Sequence, residues 1–254
     1  MRQSKNVIPV SGTGYWRSDF RIYQAALDIL FPRRCPVCGE IVKPAGRLIC
    51  PSCLLRLSPV RPPVCKRCGK EIPDAVMEYC RDCMVHSHSF EYGIALLHYD
   101  ETSRRIMARI KYNNKREYLD FFGKAIADVY KKAIRRMGVD VIVPVPIHKS
   151  RRRKRGFNQA ELLARVLGEE LQLAVRTDIL VRDRQTRPQK ELSAADRLRN
   201  LSGAFRAGPI PADAQRILLV DDIYTTGSTI EACTRSLKEA GAQKVFFAVI
   251  CITG

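Results

Sequence analysis

The sequence predicts an α/β fold, a parallel sheet with flanking helices, preceded by a small cysteine-rich module. Three observations lead there. From residue 89 onward, short apolar runs alternate with helix-period patterns, the pattern of parallel strands joined by crossover helices. Eight of the ten cysteines fall between residues 35 and 83, in evenly spaced pairs. Residues 216–230, RILLVDDIYTTGSTI, pass from an apolar run through an acidic doublet into a turn of small residues.

Residues 1–34 read as a frayed tail followed by one amphipathic helix. Phe20, Tyr23, Leu27 and Leu30 recur at helical spacing, starting near Ser18-Asp19 and stopping before Pro32. The helix is expected to pack on the cysteine module or the main domain. A membrane-surface anchor is the alternative, but its polar face lacks the Lys/Arg richness of one.

Residues 35–88 hold the cysteine module. Cys35/Cys38, Cys50/Cys53, Cys65/Cys68 and Cys80/Cys83 are four Cys-x-x-Cys pairs, each starting 15 residues after the one before. Two-residue spacing lets both thiolates of a pair reach one tetrahedral ion, and two pairs complete a four-thiolate site. Four pairs therefore supply two structural Zn2+ sites with no open coordination position. The first and third pairs run into Gly39 and Gly69, the second and fourth into Leu54 and Met84, so the true period is 30 residues. That favours sequential sites, Cys35/Cys38/Cys50/Cys53 and Cys65/Cys68/Cys80/Cys83, over an interleaved cross-brace, which spacing alone leaves open. The glycines suit knuckles that turn through positive φ. Disulfides would need an oxidising compartment, and iron–sulfur motifs space their cysteines less symmetrically. With so little apolar sequence, the module should need metal to fold. His86 and His88 read as linker residues, and Cys233 and Cys251 as buried core thiols.

Residues 89–254 form the α/β domain. Strands are expected at 92–99, 140–145, 217–220 and Lys244–Ile252, and helices at 103–110, 118–136, Gln159–Leu171 and 228–240. In such sheets ligands bind beyond the carboxyl ends of the strands. The Asp221–Thr229 turn lies at one such end, and the loop over 145–158 at another.

Strand, small-residue turn and helix N-terminus make a phosphate cradle, because free N–H groups and the helix dipole both face the anion. Thr225, Thr226, Ser228 and Thr229 add hydroxyl donors, and Gly227 lets the backbone come close. The loop lacks the Lys of a P-loop and the Gly-x-Gly-x-x-Gly of a dinucleotide fold. Asp221 and Asp222, just before the cradle, suit a ligand with vicinal hydroxyls near a phosphate, as in a ribose 5-phosphate.

Two further segments are candidate anion binders. Lys149 to Arg155 contains six basic residues in seven, which read as a basic loop or a solvated charge run. Residues 182–200 have turn-like composition before a short helix at Ser193, and Arg182, Arg184, Arg187 and Lys190 could close over an anion as a lid.

The run LLVDDIYTTGST closely resembles the phosphoribosyl-pyrophosphate (PRPP) signature of type I phosphoribosyltransferases. Taken with the four cysteine pairs, YD-x-x-x-x-R…KY, VPVP…RRRKRGFNQAELLA and TRPQKELSAADRLRNLSGAF, the chain resembles the ComF family over residues 20–254. This family joins a double zinc ribbon to a phosphoribosyltransferase domain and is associated with uptake of transforming DNA. The resemblance implies PRPP as ligand, with Thr225–Thr229 on the 5-phosphate and Asp221 and Asp222 as the catalytic carboxylates on the ribose hydroxyls. It implies Mg2+ with the pyrophosphate, and makes Lys111, Lys149, Arg155 and Arg187 candidate pyrophosphate contacts. The acceptor is not legible. Single-stranded DNA and other competence proteins are the implied partners, and a PRPP-sensing regulator without turnover is a further reading.

Bulk properties agree with these expectations. Apolar residues make up 46% of the chain, enough for a core, and the net charge of +18 predicts attraction to polyanions. There is no 18-residue apolar run and no signal-peptide core, so a cytoplasmic protein without a membrane span is expected.

Overall fold

A computed structural model describes residues 32–183 and 203–254. The amphipathic helix expected before Pro32 and the segment 184–200, with Arg184, Arg187 and Lys190, lie outside the described residues.

In chain order the elements are α1 (Pro51–Leu54), α2 (Arg81–Val85), β1 (Gly93–His98), α3 (Glu101–Tyr112), α4 (Tyr118–Met137), β2 (Val141–Pro144), α5 (Lys149–Arg155), α6 (Gln159–Leu171), β3 (Ala174–Val175), β4 (Leu180–Arg182), β5 (Phe205–Ala207), β6 (Arg216–Tyr224), α7 (Ser228–Glu239) and β7 (Lys244–Ile252). Five strands form one parallel sheet in the order β1-β7-β6-β2-β3. The remaining two, β4 and β5, make a small antiparallel pair.

Apolar residues alternate between the two faces of the sheet. Ile217 and Leu219 of β6 join one core with Ile230, Cys233 and Leu237 of α7. Leu218 and Val220 join the other with Ile106 and Ile110 of α3, Phe122 and Ile126 of α4, and Leu163 of α6. Because both faces are covered, the central strands read as unbroken apolar runs.

The two cysteine modules clasp the β1 edge. The connection between them runs antiparallel to β1: the Val60 N–H donates to the Leu96 carbonyl at 3.0 Å, and the His98 N–H donates to the Ser58 carbonyl at 2.9 Å. An otherwise open edge is thereby paired. The first module builds a small core from Cys35, Val42, Ile49 and Cys53, against Phe121 of α4. The second sinks Cys65, Cys68, Ile72 and Cys80 into the α7-side core. Its knuckle glycine, Gly69 (φ +73°), lies so close to Gly93 that an added Cβ would overlap the Gly93 carbonyl oxygen. The 30-residue repeat is repeated in the backbone: Cys35 N to Glu40 O and Cys65 N to Lys70 O are both 2.7 Å, and Val42 N to Arg33 O has its counterpart in Ile72 N to Pro63 O.

Two expectations are corrected. The basic segment 149–155 is not a loop but α5, begun by His148, whose ring nitrogen accepts from the Ser150 N–H, and ended by left-handed Gly156. Lys and Arg are good helix formers, and with a cap at each end the run closes as a short helix. The strand expected at 217–220 continues to Tyr224, so Asp221 and Asp222 lie within β6 rather than after it. The reason is asymmetric pairing: β2 reaches only Val220, whereas β7 pairs with β6 as far as Tyr224. The short strands β3, β4 and β5 carry too few residues to show a periodic signal.

Candidate functional site

Each cysteine quartet gathers its four sulfur atoms within 4.8 Å of one another, in the sequential grouping Cys35/Cys38/Cys50/Cys53 and Cys65/Cys68/Cys80/Cys83. Four thiolates around zinc at about 2.3 Å sit roughly 3.8 Å apart, and the Cys68–Cys80 sulfur separation is 3.6 Å. The donor sets fit tetrahedral zinc. His86 is exposed at the surface and His88 turns away to Glu231, so neither competes as a ligand. Cys233 and Cys251 are buried among core side chains, and burial pushes both thiols up, Cys251 to about 12.

The overhang of β6 beyond β2 opens directly onto the Asp doublet. Asp222 is 5% exposed, and burial alone would raise its carboxyl, but an ion pair with Lys111 outweighs this and holds it below the usual carboxylate range. Its Oδ1 also accepts from Gln159 Nε2 at 3.3 Å, and Gln159 Oε1 in turn accepts from Arg155. Asp221 has the opposite fate. Burial and then the neighbouring Asp222 charge push it well above the ordinary value, although its Oδ1 accepts the Asp222 N–H at 2.8 Å. The surroundings thus shift the two adjacent carboxyls in opposite directions, Asp222 down and Asp221 up.

The turn that follows is firmly fastened. Thr253 N donates to the Tyr224 carbonyl and Thr253 Oγ1 to the Thr225 carbonyl, each at 3.0 Å. Gly227 has φ +76°, and a Cβ there would overlap the Tyr224 hydroxyl, so both conformation and space require glycine. Gly227 is the N-cap of α7 and offers no side-chain cap, which leaves the helix N-terminus to an external acceptor. Thr225 and Thr226 are exposed, and the Thr226 and Ser228 hydroxyls lie 2.9 Å apart. Tyr224 stacks on Phe247 at 4.9 Å, beneath the turn. Glu231, in the first turn of α7, accepts from Ser89 N at 2.8 Å and Ser89 Oγ at 2.7 Å. Burial would raise Glu231, but His88, Ser89 and Arg235 hold it at about 2. The helix is thereby tied to the segment leaving the second cysteine module.

Of the residues singled out from sequence, Asp221, Asp222, Lys111 and Arg155 are brought together at one end of the sheet. Lys111 comes from the last turn of α3, more than 100 positions away in the chain, and is committed to Asp222. Lys149 stands exposed at the start of α5, with no contact to the Asp doublet among the described residues. Arg182 is buried, its guanidinium 5.1 Å from the Phe205 ring centre. Arg187 lies outside the described residues. Sequence reasoning missed Gln159. Its only signal was its place in the string RGFNQ, which says nothing of its contact with Asp222.

Two measurements test these assignments. Metal analysis of the folded chain should return two zinc atoms per chain, and one or none would contradict the paired quartets. In thermal or urea unfolding near neutral pH, Asp222→Asn should destabilise by about 3 kcal/mol, because it strands a buried Lys111 charge. Asp221→Asn should leave stability unchanged or raise it. The signs follow from linkage: the Asp222 contribution is present above the ordinary carboxyl range and is lost as pH falls through its lowered folded value. Asp221, raised in the folded state, instead costs stability as pH climbs from the ordinary carboxyl value to its raised one. Equal losses in the two variants would contradict the division of charge.

Comparison with known proteins agrees with this architecture. Residues 26–84 match the double zinc ribbon domain, and residues 117–253, over half the chain, match the phosphoribosyl transferase domain. The chain is 29% identical over 221 residues to competence protein F of Haemophilus influenzae, covering 85% of this chain and 95% of that one. It is 28% identical to competence protein ComFC of Bacillus subtilis, covering 79% of this chain and 82% of that one. It is 28% identical to the DNA utilization protein YhgH of Escherichia coli, covering 75% and 84%. The chain therefore belongs to the phosphoribosyl transferase domain family and, with its N-terminal double zinc ribbon, is a ComF-type member of it.

Proposed function

We propose that the protein binds PRPP at the Asp221–Thr229 turn and transfers or senses its phosphoribosyl group in a role tied to DNA uptake. One observation carries the reading: a carboxylate doublet at a strand overhang, Asp222 buried and Asp221 partly exposed, abutting a glycine-capped helix N-terminus without a side-chain cap. The turn from Thr225 to Thr229 would hold the 5-phosphate through N–H groups and hydroxyls. Asp221 and Asp222 would accept from the ribose hydroxyls. The Asp222 charge would also stabilise the positive sugar that forms as pyrophosphate departs. Mg2+, carried in with the pyrophosphate, would neutralise the leaving group and keep several of its waters. Lys111 and Arg155 are the cations already beside the doublet and would face the same leaving group. The association with DNA uptake rests on the names of the relatives, two competence proteins and a DNA utilization protein.

Calorimetry with PRPP and Mg2+ tests the site. Wild type should bind, and Asp222→Asn, measured where circular dichroism shows it folded, should bind at least about tenfold more weakly, equivalent to about 1.4 kcal/mol. Unchanged affinity would falsify the assignment. Pyrophosphate release from PRPP, with and without candidate acceptors, then separates an enzyme from a sensor.

A second reading, a grip on single-stranded DNA, is favoured by α5, where Arg151, Arg152, Arg153 and Lys154 are all exposed on one short helix. Affinity for a single strand should then fall steeply with salt, and charge-neutral substitutions in α5 should flatten the slope by roughly 0.7 for each phosphate they leave unneutralised. A slope that ignores both salt and α5 would remove this reading.

A further inference from the structure

At the end of the sheet opposite the Asp221–Thr229 turn, β1, β7 and β6 begin side by side. Between their first residues and the last turn of α4 lies an open crevice of about 480 Å3, lined among others by Tyr92, Arg136, Met137, Arg216, Lys244 and Phe246. That volume lies within the range of small-molecule sites, roughly 300–1,000 Å3.

Its charge is unusual for its place. Arg216 and Lys244 are register partners across the β6–β7 ladder, so two like charges start neighbouring strands on the same face. Such a pairing is unfavourable without a counter-ion. Arg136 adds a third cation from the end of α4. None of the three side chains has a hydrogen bond or ion pair among the described residues. The nearby negative groups are too few to balance them. The α4 C-terminus supplies about half a charge. Asp140 supplies one more while accepting the Arg216 N–H at 2.7 Å. Glu91, beside Tyr92, is already engaged by Lys238 at 3.1 Å. About one and a half positive charges remain, close to the charge a phosphate monoester carries at neutral pH. The rest of the lining is aromatic and apolar, with Phe246, Tyr92 and Met137.

We propose that this crevice is a second ligand site, for a nucleoside monophosphate, with Arg136, Arg216 and Lys244 on the phosphate and the base against Phe246 and Tyr92. The aromatic lining is what selects a nucleotide over inorganic phosphate, since a flat ring gains from stacking there. The site lies at the far end of the sheet from the Asp doublet, so both can be filled at once, and the proposal stands independently of the PRPP reading.

The test is calorimetry on the full chain with AMP, inorganic phosphate and adenosine, for wild type and the Arg216→Gln/Lys244→Gln double variant. AMP should bind wild type more tightly than phosphate or adenosine does, and should still bind with PRPP and Mg2+ at saturation. The double variant should lose at least about tenfold in AMP affinity, since two charged hydrogen bonds are removed, while PRPP affinity stays unchanged. Absence of AMP binding, equal binding in the variant, or displacement of AMP by PRPP would each overturn the proposal. So would capture of a short single-stranded oligonucleotide by the crevice without AMP. Should PRPP itself give no heat, the comparison of wild type with the double variant still decides the crevice.

Discussion

The unequal lengths of the neighbours of β6 govern the candidate site. Pairing with β2 ends at Val220, while pairing with β7 runs on to Tyr224. On one side the backbone stays held in the sheet; on the other it is released from its neighbour. The Asp doublet therefore stands on rigid strand backbone and yet borders an opening, the condition a binding carboxylate needs to be both positioned and reachable. A doublet on a free loop would have had the reach without the positioning.

Rigid backbone next to burial brings an electrostatic cost. Two carboxylates at successive positions cannot both ionise cheaply in a partly dry site, and the fold resolves this by pairing only one of them. Lys111 and Gln159 secure Asp222, while burial and the Asp222 charge raise Asp221. A surface turn would need none of these partners.

The cysteine modules contribute to the same site from a distance. The first abuts α3, where Arg109 donates to the Val37 carbonyl at 3.2 Å, two residues before Lys111. The second packs under the turn through Phe90, which meets Phe247 edge-on at 5.0 Å, and through the Ser89–Glu231 bonds to α7. The chain between them seals the β1 edge. Metal in these quartets would therefore stabilise two of the elements from which the candidate site is built, besides the modules themselves.

Much of this was determined locally and so was legible in the sequence. The 30-residue cysteine period, the knuckle glycines, the bounds of Gln159–Leu171 and Lys244–Ile252, and the turn into a helix at Thr225–Thr229 follow from spacing, propensity and the steric freedom of glycine, which depend on near neighbours alone. Tertiary structure decided the rest. The extension of β6 past Val220 depends on how far β7 reaches; the helix at 149–155, by contrast, is set by its neighbouring caps His148 and Gly156, which the charge run masked. Lys111 meets Asp222, and Gln159 takes a role, only because α3 and α6 pack on the same face of one sheet. Contacts between residues distant in the chain leave no periodic trace, since each partner's local environment looks the same whether or not the other arrives.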